Sequence, residues 1–361
     1  MKISDIDRNF SLDSEIGQKN GSLVFMNCRE EPFLLTGLAE DSGGRFLRLP
    51  ERVIKNTRPE LAWLAGHTSG VRLRFRTNSP YIALNATVPS VDLMCHMPLT
   101  GSSGFDVYAG RSFEMFLAPA TISTLNFEKL GYFNSPADSE GFRDITVNFP
   151  LYNRVERLAV GLDKNSILLP PKKTKYGKVV FYGSSITQGG VASRPGNNYA
   201  NILAKNLDFE LINLGFSGNA FGDSDIVDYI ASIPMAAFVM DYDFNARSLE
   251  ELKSTHEPMY RKIRLKQPDV PIIMMTNPVP DLYKNNANSE ERYLLLRDNY
   301  EKAVASGDKN LRFIDGKTLL GLTERDTCTV DNLHPNDLGF FRMAETVYPV
   351  LKEVLEKGLH I

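Results

Sequence analysis

The run Val179-Val180-Phe181-Tyr182-Gly183-Ser184-Ser185-Ile186-Thr187-Gln188-Gly189-Gly190 decides how the second half of this chain folds. Four consecutive apolar residues with no polar alternation suit a parallel strand covered by helices on both faces. The run ends in glycines and hydroxyls, a strand-to-loop turn where a nucleophile can stand exposed. Apolar runs of the same kind recur at residues 211–214, 236–240, 272–275 and 311–314, each bounded by polar or Gly-rich loops. Helical patterns fill the gaps. Ser248-Leu249-Glu250-Glu251 is a capping-box start, followed by a stripe of Leu249, Leu252, Met259 and Ile263 with Pro258 as a kink or break. Asn288-Ser289-Glu290-Glu291 opens another helix, and a last one spans about 338–355 with Pro349 bending it. Strand and helix alternating in this way predict a doubly wound α/β sheet, whose ligands bind beyond the strand C-termini.

Toward the N-terminus the grammar changes. Leu169-Pro170-Pro171-Lys172-Lys173-Thr174-Lys175 is rich in proline and charge, and it predicts a seam between two domains, residues 1–170 and 171–361. From about 20 to 165 the pattern is of short strands. Val71-Arg72-Leu73-Arg74-Phe75-Arg76 alternates strictly, and Tyr81-Ile82-Ala83-Leu84 follows a turn signal. Val107-Tyr108 and residues 111–117, 144–149 and 155–162 add more, with almost no helical period between them. The expectation is an antiparallel all-β sandwich. Arg72, Arg74 and Arg76 then line a solvated strand face, with a basic ligand-binding face as the alternative. Trp63, the sole tryptophan, packs in a core or interface, or stacks on carbohydrate.

The chain of 361 residues exceeds the usual domain of about 100–200 residues, in keeping with two domains. Hydrophobic residues at 42% and charged residues at 24% exclude disordered, collagenous and coiled-coil classes. A formal net charge of −3 leaves no basic excess to attract nucleic acid, although a local patch escapes such a sum. Cys28, Cys95 and Cys328 are too widely spaced for a disulfide framework or a zinc pattern, and read as buried free thiols. The histidines (His67, His96, His256, His334, His360) are scattered and suggest no metal cluster. The N-terminal stretch lacks the apolar segment of a signal peptide, and no apolar run is long enough to cross a membrane. A soluble chain with no membrane partner is expected, cytoplasmic if complete and exported if a leader was removed.

The chemistry lies in the loops after the strands. Gly183-Ser184-Ser185-Ile186-Thr187 has neither a dinucleotide fingerprint, nor a Walker lysine, nor the G-x-S-x-G elbow. Asp331-Asn332-Leu333-His334-Pro335 places an acid and a histidine three residues apart just before a helix. One turn can fold the carboxylate onto Nδ1, leaving Nε2 for a hydroxyl across the cleft. Asn336 or Asp337 would cap the helix. Gly215-Phe216-Ser217-Gly218-Asn219-Ala220 and Asp241-Tyr242-Asp243-Phe244-Asn245-Ala246 offer a glycine N–H and asparagine amides to an oxyanion, or else a tight turn and a capping network.

These four blocks, in this order over residues 177–357, resemble the SGNH/GDSL hydrolase family. The resemblance implies a flavodoxin-like three-layer hydrolase domain with Ser185 as nucleophile and His334 and Asp331 completing a triad. Its oxyanion hole would comprise Ser185, Gly218 and Asn245, with Asn219 the nearest competitor to Asn245. Ser184 stands where many relatives have Asp, and Asp243-Phe244-Asn245-Ala246 replaces the usual Gly-x-Asn-Asp. Gly104-Phe105-Asp106-Val107-Tyr108 is similar to the Gly-x-Asp-Leu-Tyr motif of a jelly-roll-like β domain fused to one bacterial branch of these esterases. Ala192-Ser193-Arg194-Pro195-Gly196 resembles the same branch. The implied activity is that of a serine esterase or acetylhydrolase, acting on short acyl esters of small molecules or oligosaccharides without metal or organic cofactor. A thioesterase or short-chain lipase on the same triad is the first alternative, and a non-catalytic carbohydrate-binding protein the second.

Overall fold

The computed structural model describes Ile6 and residues 21–40, 42–278 and 289–358. Asn288, His360 and, apart from Ile6, the stretch read for a signal peptide lie outside them. The alternating first half pairs antiparallel into two sheets. One runs, in spatial order, β1 (Leu23–Asn27), β9 (Arg157–Asp163), β4 (Tyr81–Thr87) and β7 (Asn126–Tyr132). The other runs β10 (Leu168–Leu169), β3 (Arg72–Thr77), β8 (Arg143–Asn148), β5 (Phe105–Ala109) and β6 (Ser112–Leu117), with β2 (Leu34–Thr36) also on β3. Leu73, Phe75, Val107 and Val147 from the second sheet meet Ile82, Leu84, Leu158 and Val160 from the first, one inward-facing set from each.

The other face of β3 is not solvated, contrary to expectation. Arg72 is only 6% exposed. Its Nη2 reaches the Asn201 carbonyl at 3.5 Å, and Arg74 meets Asp208 at 4.0 Å. Arg76 sits in an ion cluster with Asp138 at 3.0 Å and Glu140 at 2.9 Å. The second half of the chain covers this face, which strand periodicity alone cannot reveal. The first half also holds short helices, α1 (Glu51–Ile54), α2 (Pro59–Leu64) and α3 (Leu99–Ser102). Pro59 opens α2 at a position where a missing N–H costs nothing. Trp63 in α2 is not a core residue, its side chain standing 46% exposed. Cys28 and Cys328 are buried free thiols as expected, whereas Cys95 is exposed.

The five continuous apolar runs become parallel strands β11 (Tyr176–Gly183), β12 (Phe209–Gly215), β13 (Ala237–Asp241), β14 (Ile272–Met275) and β15 (Leu311–Ile314), in the order β12-β11-β13-β14-β15. This is the flavodoxin-like order, with its switch point at β11. The helices are α4 (Ser185–Gln188), α5 (Tyr199–Leu207), α6 (Ser224–Ser232), α7 (Leu249–Lys266), α8 (Ser289–Ala305) and α9 (Asp337–Gly358). Leu203, Leu207, Met343 and Val347 of α5 and α9 cover one face of the sheet. Ile226, Ile230, Leu252 and Ile263 of α6 and α7 cover the other. Both α7 and α9 continue through Pro258 and Pro349. Ser248 caps α7 by accepting from the Glu251 N–H at 3.1 Å, while the Glu251 carboxylate takes the Arg247 N–H rather than that of Ser248. Among the described residues, no helix is long and apolar enough to cross a membrane.

Leu49, Val53, Leu61 and Leu64, from the segment around α1 and α2, share a core with Val180, Ile212 and Leu214 of the parallel sheet. Arg48 fixes that segment in place. Its guanidinium is 1% exposed and donates to four main-chain carbonyls: His67 at 2.6 Å, Leu64 at 2.8 Å, Asn213 at 3.0 Å and Gly215 at 2.7 Å. Burial pulls its pKa down to about 9, still charged at neutral pH. Arg48→Met would take a donor from four buried carbonyls, of which Leu64 keeps the His67 N–H, so a loss of about 3–5 kcal/mol is expected in urea unfolding of the variant.

Candidate active site

The site forms where β11, β12 and β13 end. β11 stops at Gly183, and Ser184 caps the short α4 by accepting from the Ile186 N–H at 3.2 Å, so Ser185 occupies the first helical position. Its N–H is one of the donors that a helix start leaves without an internal partner. The close seating requires glycine at Gly215, where an added Cβ would lie 2.2 Å from the Gln188 nitrogen.

The turn before α9 brings the acid to the imidazole. Asp331 Oδ1 accepts from the N–H groups of Leu333 at 3.1 Å and His334 at 2.7 Å, and Asn332 turns the chain with φ of 65°. Asp331 Oδ2 then lies 2.7 Å from His334 Nδ1, and His334 Nε2 lies 2.9 Å from Ser185 Oγ. The line from Asp331 through His334 to Ser185 is continuous. Partial burial pushes the Asp331 carboxyl up, but hydrogen bonds from the His334 side chain and backbone outweigh it and hold the group below its ordinary value. Asn336 caps α9 through Gly339 N–H at 3.1 Å, leaving Asp337 to bind the Ser193 N–H at 2.8 Å.

Gly218 adopts φ of 64°, in the region that favours glycine, with nothing near its missing Cβ. The two competing asparagines differ in their commitments. Asn219 gives its Nδ2 to the Ser217 carbonyl at 3.0 Å, and its Oδ1 accepts from Arg58 at 2.5 Å. Asn245 uses only its oxygen here, accepting from the Ala220 N–H at 3.3 Å, which ties its loop to the Gly218 loop. Asp241, ahead of it, is buried and accepts from Thr187 Oγ1 and Tyr199 Oη, both at 2.8 Å.

Three contributions escaped sequence reasoning because they come from the first half. The His96 ring stands edge-on to that of His334, centroids 5.8 Å apart. Tyr152 donates to the Ser185 carbonyl at 3.2 Å. His67 Nδ1 meets Gln188 Nε2 at 3.1 Å, and Gln188 Oε1 in turn accepts from Ser217 N–H at 2.9 Å. Burial, with Arg48 and Arg154 nearby, pulls the His67 pKa down to about 3 and keeps its ring neutral. One donor atom each from His96, Asp331 and His334 lies within 4.8 Å of the others. The carboxylate and one ring nitrogen of that group are already bound to each other, and the sequence offered no sign that these three would meet.

The Gly-x-Asp-Val-Tyr motif meets the Ser-Arg-Pro-Gly segment directly. Buried Asp106 accepts from Asn148 at 2.7 Å, Arg194 at 3.0 Å and the Gly196 N–H at 2.7 Å. Tyr108 accepts from the same Arg194. Asp106 is thus an interface residue.

A family model described as the GDSL-like lipase/acylhydrolase family matches residues 176–352, and one described as the N-terminus of SGNH-hydrolase-type esterases matches residues 23–168. The chain belongs to the GDSL-like lipase/acylhydrolase family, in the form that carries this N-terminal unit. It is an esterase or acylhydrolase of that type. No curated protein sequence matches it. Among solved structures, a Bacteroides ovatus protein described as a GDSL-like lipase is 28% identical, over 92% of this chain and 98% of its own, with a TM-score of 0.81. A salicylyl-acyltransferase from a tetracycline biosynthetic pathway is 17% identical over 92% and 97%, with a TM-score of 0.77. An acetyl xylan esterase from the rumen bacterium Butyrivibrio proteoclasticus is 14% identical over 93% and 99%, with a TM-score of 0.56. The last two share the fold.

Burial raises the Asp241 pKa from 3.8 to about 7, against the pull of its two hydroxyl donors. The folded state therefore holds this proton more tightly than the unfolded one, and the stability it contributes is present below pH 3.8 and lost as pH rises through about 7. Asp241→Asn cannot ionise. Its melting temperature relative to wild type should therefore rise steadily between about pH 4 and pH 8, read by thermal unfolding at each pH.

Proposed function

We propose that Ser185, His334 and Asp331 are the triad of a serine esterase that removes short acyl groups, acetyl foremost, from hydroxylated substrates such as sugars. The observation that carries this reading is the hydrogen-bonded line from Asp331 Oδ2 through His334 to Ser185 Oγ. Ser185 Oγ attacks the ester carbonyl while His334 Nε2 takes its proton. Asp331, kept ionised by its hydrogen bonds, favours the imidazolium that results. The N–H groups of Ser185 and Gly218 and the Asn245 amide bind the oxyanion, each such donor being worth about 3 kcal/mol. Asn219 is the weaker candidate because both ends of its amide are engaged. Collapse of the adduct expels the alcohol, which takes the proton from His334. Water, activated by the same nitrogen, then releases the acid and restores Ser185. Substrate and water aside, every group these steps use belongs to the chain.

We also divide the work at residue 170. Residues 171–361 carry the triad, and residues 1–170 supply the wall that holds His96 and Tyr152 over it. Carbohydrate esterases are the reason for testing sugar esters first, since an acetyl xylan esterase and an esterase solved with cellohexaose share this fold. The exposed Trp63, edge-on to His67 at 4.2 Å, offers an indole to a sugar ring.

Ser185→Ala should lower turnover of a short aryl ester by about 10⁴-fold or more with the fold intact by circular dichroism. Wild-type turnover in that variant would overturn the nucleophile. The panel then compares acetylated oligosaccharides with long-chain esters and acyl thioesters, and faster turnover of either of the latter would displace the acetyl assignment. His96→Ala opens the wall beside His334, so the ratio of kcat/KM for acetyl over hexanoyl esters should fall by about tenfold.

A further inference from the structure

A cavity lies between the two halves, built on the face of β3 that alternation assigned to water. It encloses about 290 Å³, enough for a monosaccharide-sized molecule. Arg72, Arg74, Arg111, Lys172, Lys173 and Lys205 line it, against the carboxylates of Asp144 and Asp208 only. Each has a basic or backbone N–H neighbour, although Asp144 Oδ1 makes no hydrogen bond. Asp144 meets Lys172 at 3.1 Å and Arg76 at 3.6 Å, and Asp208 accepts from the Lys175 N–H at 3.0 Å. Arg74 reaches Asp208 only at 4.0 Å. Among the described residues, Arg72, Arg111, Lys173 and Lys205 have no carboxylate within ion-pairing distance.

Depth makes this arrangement more than a charged surface. Arg111, Lys172 and Lys173 are exposed at the mouth, whereas Arg72 and Asn201 are buried at the floor. The Arg72 Nε–H has no hydrogen-bond partner, and neither does the Asn201 side-chain oxygen. A buried guanidinium with an unused donor costs free energy unless something accepts from it. Lys205 responds to the same crowding: burial, reinforced by Arg194, Arg111 and Arg72 and only partly offset by Asp106, pulls its pKa down.

We propose that this cavity binds a small hydroxylated oxyanion, a phosphate or carboxylate carried on a polyol or sugar. The anionic group meets Arg72, Arg74 and Lys205, since guanidinium forks suit either oxyanion. Hydroxyls of the same molecule meet the Thr146 and Thr174 side chains, which also line the cavity. The whole-chain charge of −3 conceals this site, because its cations come from β3, the β5–β6 turn, the linker and α5, which only the fold brings together.

The site is distinct from the triad, and the experiment separates the two. Inorganic phosphate, D-glucose 6-phosphate and D-glucuronate are each titrated calorimetrically into the full chain at constant ionic strength, with melting temperatures read in parallel. At least one should bind one-to-one and raise the melting temperature. Its affinity should be unchanged in Ser185→Ala and should fall about tenfold or more in an Arg74→Gln/Lys205→Gln variant. Arg72→Met should abolish binding. If that variant fails to fold, the Arg74/Lys205 pair decides alone. Tighter binding of both phosphates marks a phosphoryl ligand, and tighter glucuronate a carboxylate. No binding by any of the three at about 10 mM overturns the proposal. So does binding that survives the Arg74/Lys205 change, or binding that disappears with Ser185.

Discussion

A guanidinium buried without a carboxylate can be tolerated only if fixed dipoles surround it, and Arg48 shows how much of a structure such a requirement can organise. Its partners are carbonyls alone, two following or ending α2 and two at the C-terminal end of β12. Each pair lies where backbone acceptors would otherwise face a dry interior. The Arg48 side chain also stacks over Phe216 at 4.7 Å, immediately before the Gly218 loop. The geometry of that loop, and so of the proposed oxyanion donors, depends on residues far earlier in the chain.

The parallel sheet was legible because its strands are buried on both faces, and such strands write themselves as uninterrupted apolar runs. The sandwich was legible in part. β3, β4, β8 and β9 alternate or are strongly apolar, but β7, Asn-Phe-Glu-Lys-Leu-Gly-Tyr, carries charge and glycine along its length and passes for a loop. Residues 51–64 form helices of four and six residues, too short to display a helical period. The arginines of β3 were misplaced for a different reason. Alternation tells that two faces differ, and it cannot tell whether the polar one meets water or another part of the protein.

The line from Asp331 to Ser185 was legible where it is local. Asp331 and His334 are set by one turn whose residues are contiguous, so spacing alone foretold the carboxylate reaching Nδ1. In the proposed oxyanion hole, spacing could not choose between Asn219 and Asn245. The choice turns on contacts that only the fold supplies: the Asn219 nitrogen is taken by the Ser217 carbonyl, whereas Asn245 is held through its oxygen by the Ala220 N–H. His96 and Tyr152 gave no signal for the same reason, since neither sits in a motif and each acquires meaning only from the ring or carbonyl it faces.

Gln188 shows why the two halves cannot be treated as catalyst and appendage. It closes the helix that begins with Ser185, and its side chain is shared by His67, the Leu151 carbonyl and the Ser217 N–H. The tautomer of His67 follows from this: with Gln188 Nε2 donating, Nδ1 must accept, which requires the neutral ring that burial already enforces. A protonated His67 would break that bond and place a positive charge beside Arg48. The neutral ring is therefore part of what holds Ser185 and the Gly218 loop in register. The first half thus fixes the positions of groups that the second half supplies.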